Sequence, residues 1–171
     1  MMLSPAPTSP TIDEIRALAA RIATMAVRTP LMESPLLNEV VGGRSLIKAE
    51  PLQRTGSFKF RRTFNKIAQF PDNNRKNGVI AFSSGNHAQG VVAAARLHDI
   101  PAVIVMPEDA PTQKVANTRG YGTEVVLYDR YSEDREAIGM AIADKRGFSL
   151  IKPYDDPRII AGRGTLGLEI A

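Results

Sequence analysis

From Gly78 to Lys152 short apolar runs alternate with helical patterns, and this alternation restricts the fold more than any other feature of the chain. GVIAF (78–82), AVIVM (102–106), TEVVLY (123–128) and FSLIK (148–152) have the length and β-branched content of buried strands. Between them lie helical patterns at 86–98, at 111–119 opened by Pro111, and at 133–145 with Ser132 as the expected N-cap. Strand, helix, strand in succession is the signature of βαβ units and a parallel sheet. The expected class is therefore α/β, with open, mainly parallel twisted sheets and helices on both faces. A sheet covered on both faces needs apolar mass, and a chain of 171 residues that is 43% hydrophobic supplies it.

The flanks are less regular. Residues 1–10 carry three prolines among small polar residues and read as a flexible lead-in. Thr11 and Glu14 match a capping box, followed by Ile12, Ile15, Leu18, Ala19 and Ile22 at helical spacing. After a loop containing Pro30 and Pro35, SLIKAE (45–50) reads as a short strand ended by Pro51. The polar loop QRTGS (53–57) leads into a helix from Phe58 to Phe70. Pro71 and the polar stretch PDNNRKNG (71–78) close that helix and form the best candidate for a domain boundary. Residues 153–156 read as a turn and 157–171 as a helix, in which GRGTLG (162–167) is expected to pack small residues against the sheet. That segment is no dinucleotide fingerprint, because it neither follows a strand nor precedes an acidic residue by about 20 positions.

Composition narrows the function classes. The chain has no cysteine and two histidines, which disfavours disulfides, a thiolate nucleophile and a metal site. Its 22 basic and 18 acidic residues are scattered, and aromatics make up 6% with no tryptophan, so nucleic acid is not an expected partner. Neither a long apolar run nor a secretory leader is visible, and a cytoplasmic protein without membrane association is expected.

Open parallel sheets bind ligands at the carboxyl ends of their strands. Two loops are chemically loaded. In QRTGSFKF (53–60), Lys59 falls in the first turn of a helix, where the positive dipole end favours the neutral amine that attacks an aldehyde. The alternative is an exposed surface lysine beside Arg61 and Arg62. In SSGNHAQG (83–90), Ser83, Ser84, Gly85 and Asn86 open a helix and offer N–H groups and short polar side chains to a carboxylate or phosphate. The alternative there is an ordinary cap, with Ser84 or Asn86 satisfying the first turn and His87 at the surface. His98 reads as a polar cap.

Taken together, these segments resemble the fold-type II (tryptophan-synthase-β-like) pyridoxal-phosphate enzymes, in the threonine/serine dehydratase and serine racemase branch. The likeness runs through RTPL (28–31), KAEPLQRTGSFKFR (48–61), SSGNHAQG (83–90), VIVMPEDAPTQKV (103–115), TRGYGTEVVLYD (118–129) and PYDDPRIIAGRGTLGLEI (153–170). The resemblance implies pyridoxal 5'-phosphate as cofactor and α,β-elimination of threonine or serine to a 2-oxo acid and ammonia, with serine racemase or hydroxyaspartate dehydratase as alternatives. It implies Lys59 as the Schiff-base lysine and Cα base, Phe58 packed beside the cofactor, and Asn86 bonded to its 3'-oxygen. Ser83, Ser84, Asn86 and His87 are implied to hold the substrate, with Ser84 as the acid or base on the opposite face.

The resemblance further implies a homo-oligomer and a small domain at 78–150. Residues 11–77 and 151–171 then belong to a truncated large domain. Family chains are about twice this length, and their later half carries a glycine-rich phosphate loop and a serine or threonine facing the pyridine nitrogen. An inactive truncated fragment, or an amino-acid-binding module, is accordingly the reading from another class. Two positions depart from the family pattern: Arg62 replaces the usual glycine and Arg163 the common glutamine.

Overall fold

The computed structural model describes residues 9–171, the side chains of residues 73 and 74 excepted. The lead-in expected over 1–10 thus lies outside the described residues apart from Ser9 and Pro10. Four strands, β3 (Val79–Phe82), β4 (Ala102–Pro107), β5 (Glu124–Tyr128) and β6 (Ser149–Leu150), form one parallel sheet in the order β5-β4-β3-β6. Its register pairs Val79 with Ala102, Val103 with Glu124 and Val79 with Ser149. Strand pleating sends Val79, Ala81, Ile104 and Met106 to one face, where they meet Val91, Val92, Ala94 and Ala95 of α5 (Asn86–Leu97). Ile80, Phe82, Val103 and Val105 point to the other face and meet Ile138 and Ile142 of α7 (Arg135–Arg146). Both faces are covered, as the continuous apolar runs require.

Outside this sheet, α1 (Ile12–Ile22), α3 (Lys59–Ala68) and α8 (Pro157–Ile170) pack together through Leu18, Ile22, Phe60, Phe64, Ile67, Ile159 and Ala161. The capping box of α1 forms in full, with Thr11 Oγ1 accepting from Glu14 N–H and Glu14 accepting from Thr11 N–H at 2.7 Å. Helix α3 is held between two glycines on neighbouring helices. A Cβ on Gly90 of α5 would lie 3.1 Å from the Lys59 carbonyl, and one on Gly162 of α8 would lie 2.5 Å from Arg62 Cα. GRGTLG therefore packs helix against helix, with Gly162 on α3 and Gly164 on Ile15 of α1, and the expected contact with the sheet is not made.

The other differences have local causes. The proline-containing loop holds β1 (Leu31–Glu33) and α2 (Pro35–Val41, capped by Ser34 and ended by a left-handed Gly42), and β1 pairs antiparallel with β2 (Leu46–Lys48). Neither β1 nor α2 buries a residue, so no periodicity marks them. The polar stretch at 71–78 is helical as α4 (Asp72–Asn77). Asp134, not Ser132, caps α7, because Asp134 accepts from Glu136 and Ala137 N–H while Ser132 Oγ donates to Asp129. The final strand is only two residues long, since Pro153 and the turn after it pull the chain off the sheet edge. Among the described residues no helix is long and apolar enough to cross a membrane, and no group of three His, Asp or Glu side chains is placed to hold a metal.

Candidate active site

A cavity of about 480 Å³ opens where the carboxyl ends of the parallel strands meet the start of α3. Strand β3 delivers Phe82, and the chain then turns through Ser83, Ser84 and Gly85 into the first turn of α5. Lys59, Ser83, Ser84, Asn86 and His87, all singled out from the sequence, line this one cavity. Phe58 is not part of the lining. It precedes Lys59, with its ring centroid 4.9 Å from Lys59 Nζ.

The start of α5 has Gly85 as N-cap and no side-chain cap bond. The ordinary capping alternative for Ser84 and Asn86 is thus not realised, which leaves the first turn of α5 without a side-chain cap where it lines the cavity. Ser83 Oγ is turned inward along the loop, where it accepts from Gly85 N–H at 3.2 Å. Ser84 and Asn86 are exposed.

Lys59 is half-buried, and burial pushes its ammonium below the usual lysine range, with the charges of Arg62 and Arg163 adding to the shift. The direction agrees with the neutral amine expected at a helix start, and the neighbours that reinforce it come from α3 and α8.

His87 is not at the surface. It is 4% exposed, and burial takes its pKa down to about 4, with smaller contributions from Arg62 and Lys59. Its Nε2 lies 3.1 Å from the Ile151 carbonyl, an acceptor only, so Nε2 carries the proton and donates. Nδ1 is then a bare acceptor, 3.5 Å from Arg62 Nη2. His98 is the C-cap of α5, as expected, and its ring also stacks on Phe64 with centroids 5.0 Å apart.

Lys114, at the start of α6 (Thr112–Arg119), and Arg135, the first residue of α7, also line the cavity. Sequence reasoning missed both. Each lies at the start of a helix that follows the carboxyl end of a parallel strand, so the rule that singled out two loops finds these as well when applied to every strand. None of the described residues lining the cavity is acidic. The donor set fits a phosphorylated aldehyde cofactor with an amino-acid substrate: a lysine biased toward its neutral amine, an uncapped helix start, and cations without opposing carboxylates.

Comparison with known proteins agrees with this chemistry. Over 158 residues the chain is 54% identical to an L-threo-3-hydroxyaspartate ammonia-lyase of Pseudomonas sp, covering 92% of this chain and 49% of that protein. It is 44% identical to an L-threonine ammonia-lyase of Thermotoga maritima, covering 94% of this chain and 40% of the relative. Maize serine racemase has a similar solved structure, with a TM-score of 0.91 and 39% identity over 95% of this chain and 50% of that one. The chain spans about half the length of the relatives it matches. Residues 22–171 match the family described as pyridoxal-phosphate dependent enzyme, a stretch that includes both Lys59 and the Ser83–His87 loop, and the chain belongs to that family.

Proposed function

We propose that this chain carries the lysine and the substrate-carboxylate loop of a pyridoxal-phosphate-dependent ammonia-lyase that removes the β-hydroxyl and the amino group of a hydroxy amino acid. One observation carries the reading: the Lys59 amine and the uncapped start of α5 share a single cavity with no acidic side chain among the described residues lining it. Residues 11–77 with 151–171 form the part that bears Lys59, and 78–150 the smaller part that bears the carboxylate loop.

When bound, pyridoxal phosphate supplies an electron sink for the carbanion at Cα. Lys59 Nζ would hold the cofactor through its aldehyde and, as a neutral amine, would serve as the base for the Cα proton. Phe58, next to Lys59 though outside the cavity lining, would flank the cofactor, and the Asn86 side chain would hold its 3'-oxygen. The Ser83 and Ser84 side chains and the N–H groups of the α5 first turn orient the substrate carboxylate. His87 serves through its backbone, because its ring is neutral and committed to Ile151. Ser84, which lines the same cavity, would exchange a proton on the opposite face, the step that racemisation needs. Phe82 and Tyr154 supply the aromatic part of the cavity lining.

Threonine and serine are the substrates the sequence pattern suggests first. The lining favours a second reading. Lys114 and Arg135 offer positive charge beyond the loop assigned to the α-carboxylate, and a dicarboxylic hydroxy amino acid such as 3-hydroxyaspartate supplies a second carboxylate to meet it. The 54%-identical relative bears that substrate in its name.

The test is to titrate the chain with pyridoxal phosphate, reduce with borohydride and map the adduct by mass spectrometry. The expected adduct is on Lys59. An unchanged cofactor absorbance in Lys59→Ala sinks the assignment. Release of 2-oxo acid, compared over 3-hydroxyaspartate, threonine and serine, separates the two substrate readings. A cofactor adduct without turnover supports the binding half of the proposal and overturns the elimination half for the 171-residue chain.

A further inference from the structure

Arg62 is a buried cation without a counter-charge. It is 4% exposed, its Nε has no hydrogen-bond partner among the described residues, and its one polar contact is Nη2 at 3.5 Å from the neutral His87 ring. Its nearest charged neighbours are cations. Arg62 and Arg163 stand over the same Phe58 ring, with guanidinium carbons 5.6 and 5.3 Å from its centroid, and Lys59 Nζ is over that ring as well. Among the described residues no carboxylate forms an ion pair with Arg62 or Arg163. Repulsion between the two is part of what takes the Arg62 guanidinium down to about 10, after burial itself.

A buried guanidinium flanked by like charges is unfavourable unless something anionic joins it. The arrangement is nonetheless held firmly, because Gly162 brings the α8 backbone against Arg62 Cα and fixes where Arg163 emerges. Arg163 is exposed, so the cluster is open to solvent on its side. We propose that Arg62 and Arg163 form an oxyanion-binding site beside Lys59, which takes a phosphate or carboxylate group between them against Phe58.

The oxyanion specificity follows from the arginines alone. Its source rests on the function proposed above: the phosphate of the cofactor, or the second carboxylate of a dicarboxylic substrate.

The experiment follows the ¹⁵N–¹H signal of Arg62 Nε in the 171-residue chain, assigned by its loss in Arg62→Gln, while inorganic phosphate and succinate are added separately. A saturable shift with at least one anion is expected, with affinity falling about tenfold in Arg163→Gln, which alters an exposed residue and leaves the fold intact. A shift with phosphate only identifies the cofactor's phosphate as the source, and the preference for pyridoxal phosphate over pyridoxal then falls in Arg62→Gln. A shift with succinate identifies a substrate carboxylate. No shift with either anion, or unchanged affinity in Arg163→Gln, overturns the site. Borohydride trapping at Lys59 is read separately: loss of trapping with the anion shifts intact defeats the proposed function alone, and trapping without shifts defeats the oxyanion site alone.

Discussion

Helix α3 presents two consecutive arginines to opposite surroundings. On one side Arg61 is saturated: its guanidinium donates to both oxygens of Glu50, to both of Glu169 and to the Val27 carbonyl at 2.6–3.1 Å. Thr29 donates to Glu50 and Lys48 pairs with Glu169, so even the counter-ions are satisfied. On the other side Arg62 is as deeply buried yet has a long contact to a neutral imidazole and two cationic neighbours. The first arrangement explains itself as structure. The second makes physical sense as half of a binding site, and it faces the helix that contributes His87 to the candidate active site.

The largest expected effect breaks the saturated side. Arg61→Met leaves Glu50 and Glu169 without their main partner and should lower the unfolding free energy by about 3–5 kcal/mol in denaturant titrations. A loss below about 1 kcal/mol would show the network to be dispensable.

Acid separates the two sides next. The His87 pKa is depressed in the fold to about 4 against an ordinary 6.5, so the neutral ring stabilises the fold above pH 6.5 and that contribution is lost as pH falls toward 4. About 3 kcal/mol should disappear across this window, and His87→Gln should flatten it. Glu169 behaves differently. Burial alone raises its carboxyl, but the bonds from Arg61 and Lys48 overcome this and hold it below the ordinary 4.5. Its contribution is complete above about pH 4.5 and is lost only at lower pH, so the Arg62 side should weaken first. Stability that is flat from pH 7 to 5 would contradict this order.

A third test presses the two helices apart. Gly162→Ala places a methyl 2.5 Å from Arg62 Cα, against backbone, and should cost about 1–3 kcal/mol while loosening the arginine cluster. The smallest effect is the most discriminating. In anion-free buffer Arg62→Gln should change stability by less than about 1 kcal/mol, or raise it, because it removes an unpaired buried charge. A loss as large as that of Arg61→Met would make the two arginines equivalent and Arg62 structural.

The parts of the molecule differed in how openly the chain displayed them. The parallel sheet was legible because Val79–Phe82 and Ala102–Pro107 are buried on both faces and leave continuous apolar runs. Strand β1 and helix α2 were not, since Leu31, Met32, Leu36 and Val40 stay exposed and form no periodic pattern. Lys59 and the Ser83–His87 loop stood out by position after a loop or strand and before a helix. Arg61 and Arg62 did not, because a pair of arginines in a helix looks solvated until partners distant in the chain are known. The same distance hid the target of Gly162, whose small size was evident while the element it packs on was not.

The Arg61–Glu169 contact joins residues 108 positions apart, and this sets an order of assembly. A contact across so long a loop carries a large closure entropy, which is regained only after the intervening chain has become compact. The Glu169 half of the network is therefore expected to close after α5, the parallel strands and α7 have condensed, whereas the Glu50 half, 11 positions from Arg61, can form early. The ion network acts as the latch of the fold: it does little to start folding and much to slow its undoing, so substitutions within it should be felt mainly in the unfolding rate.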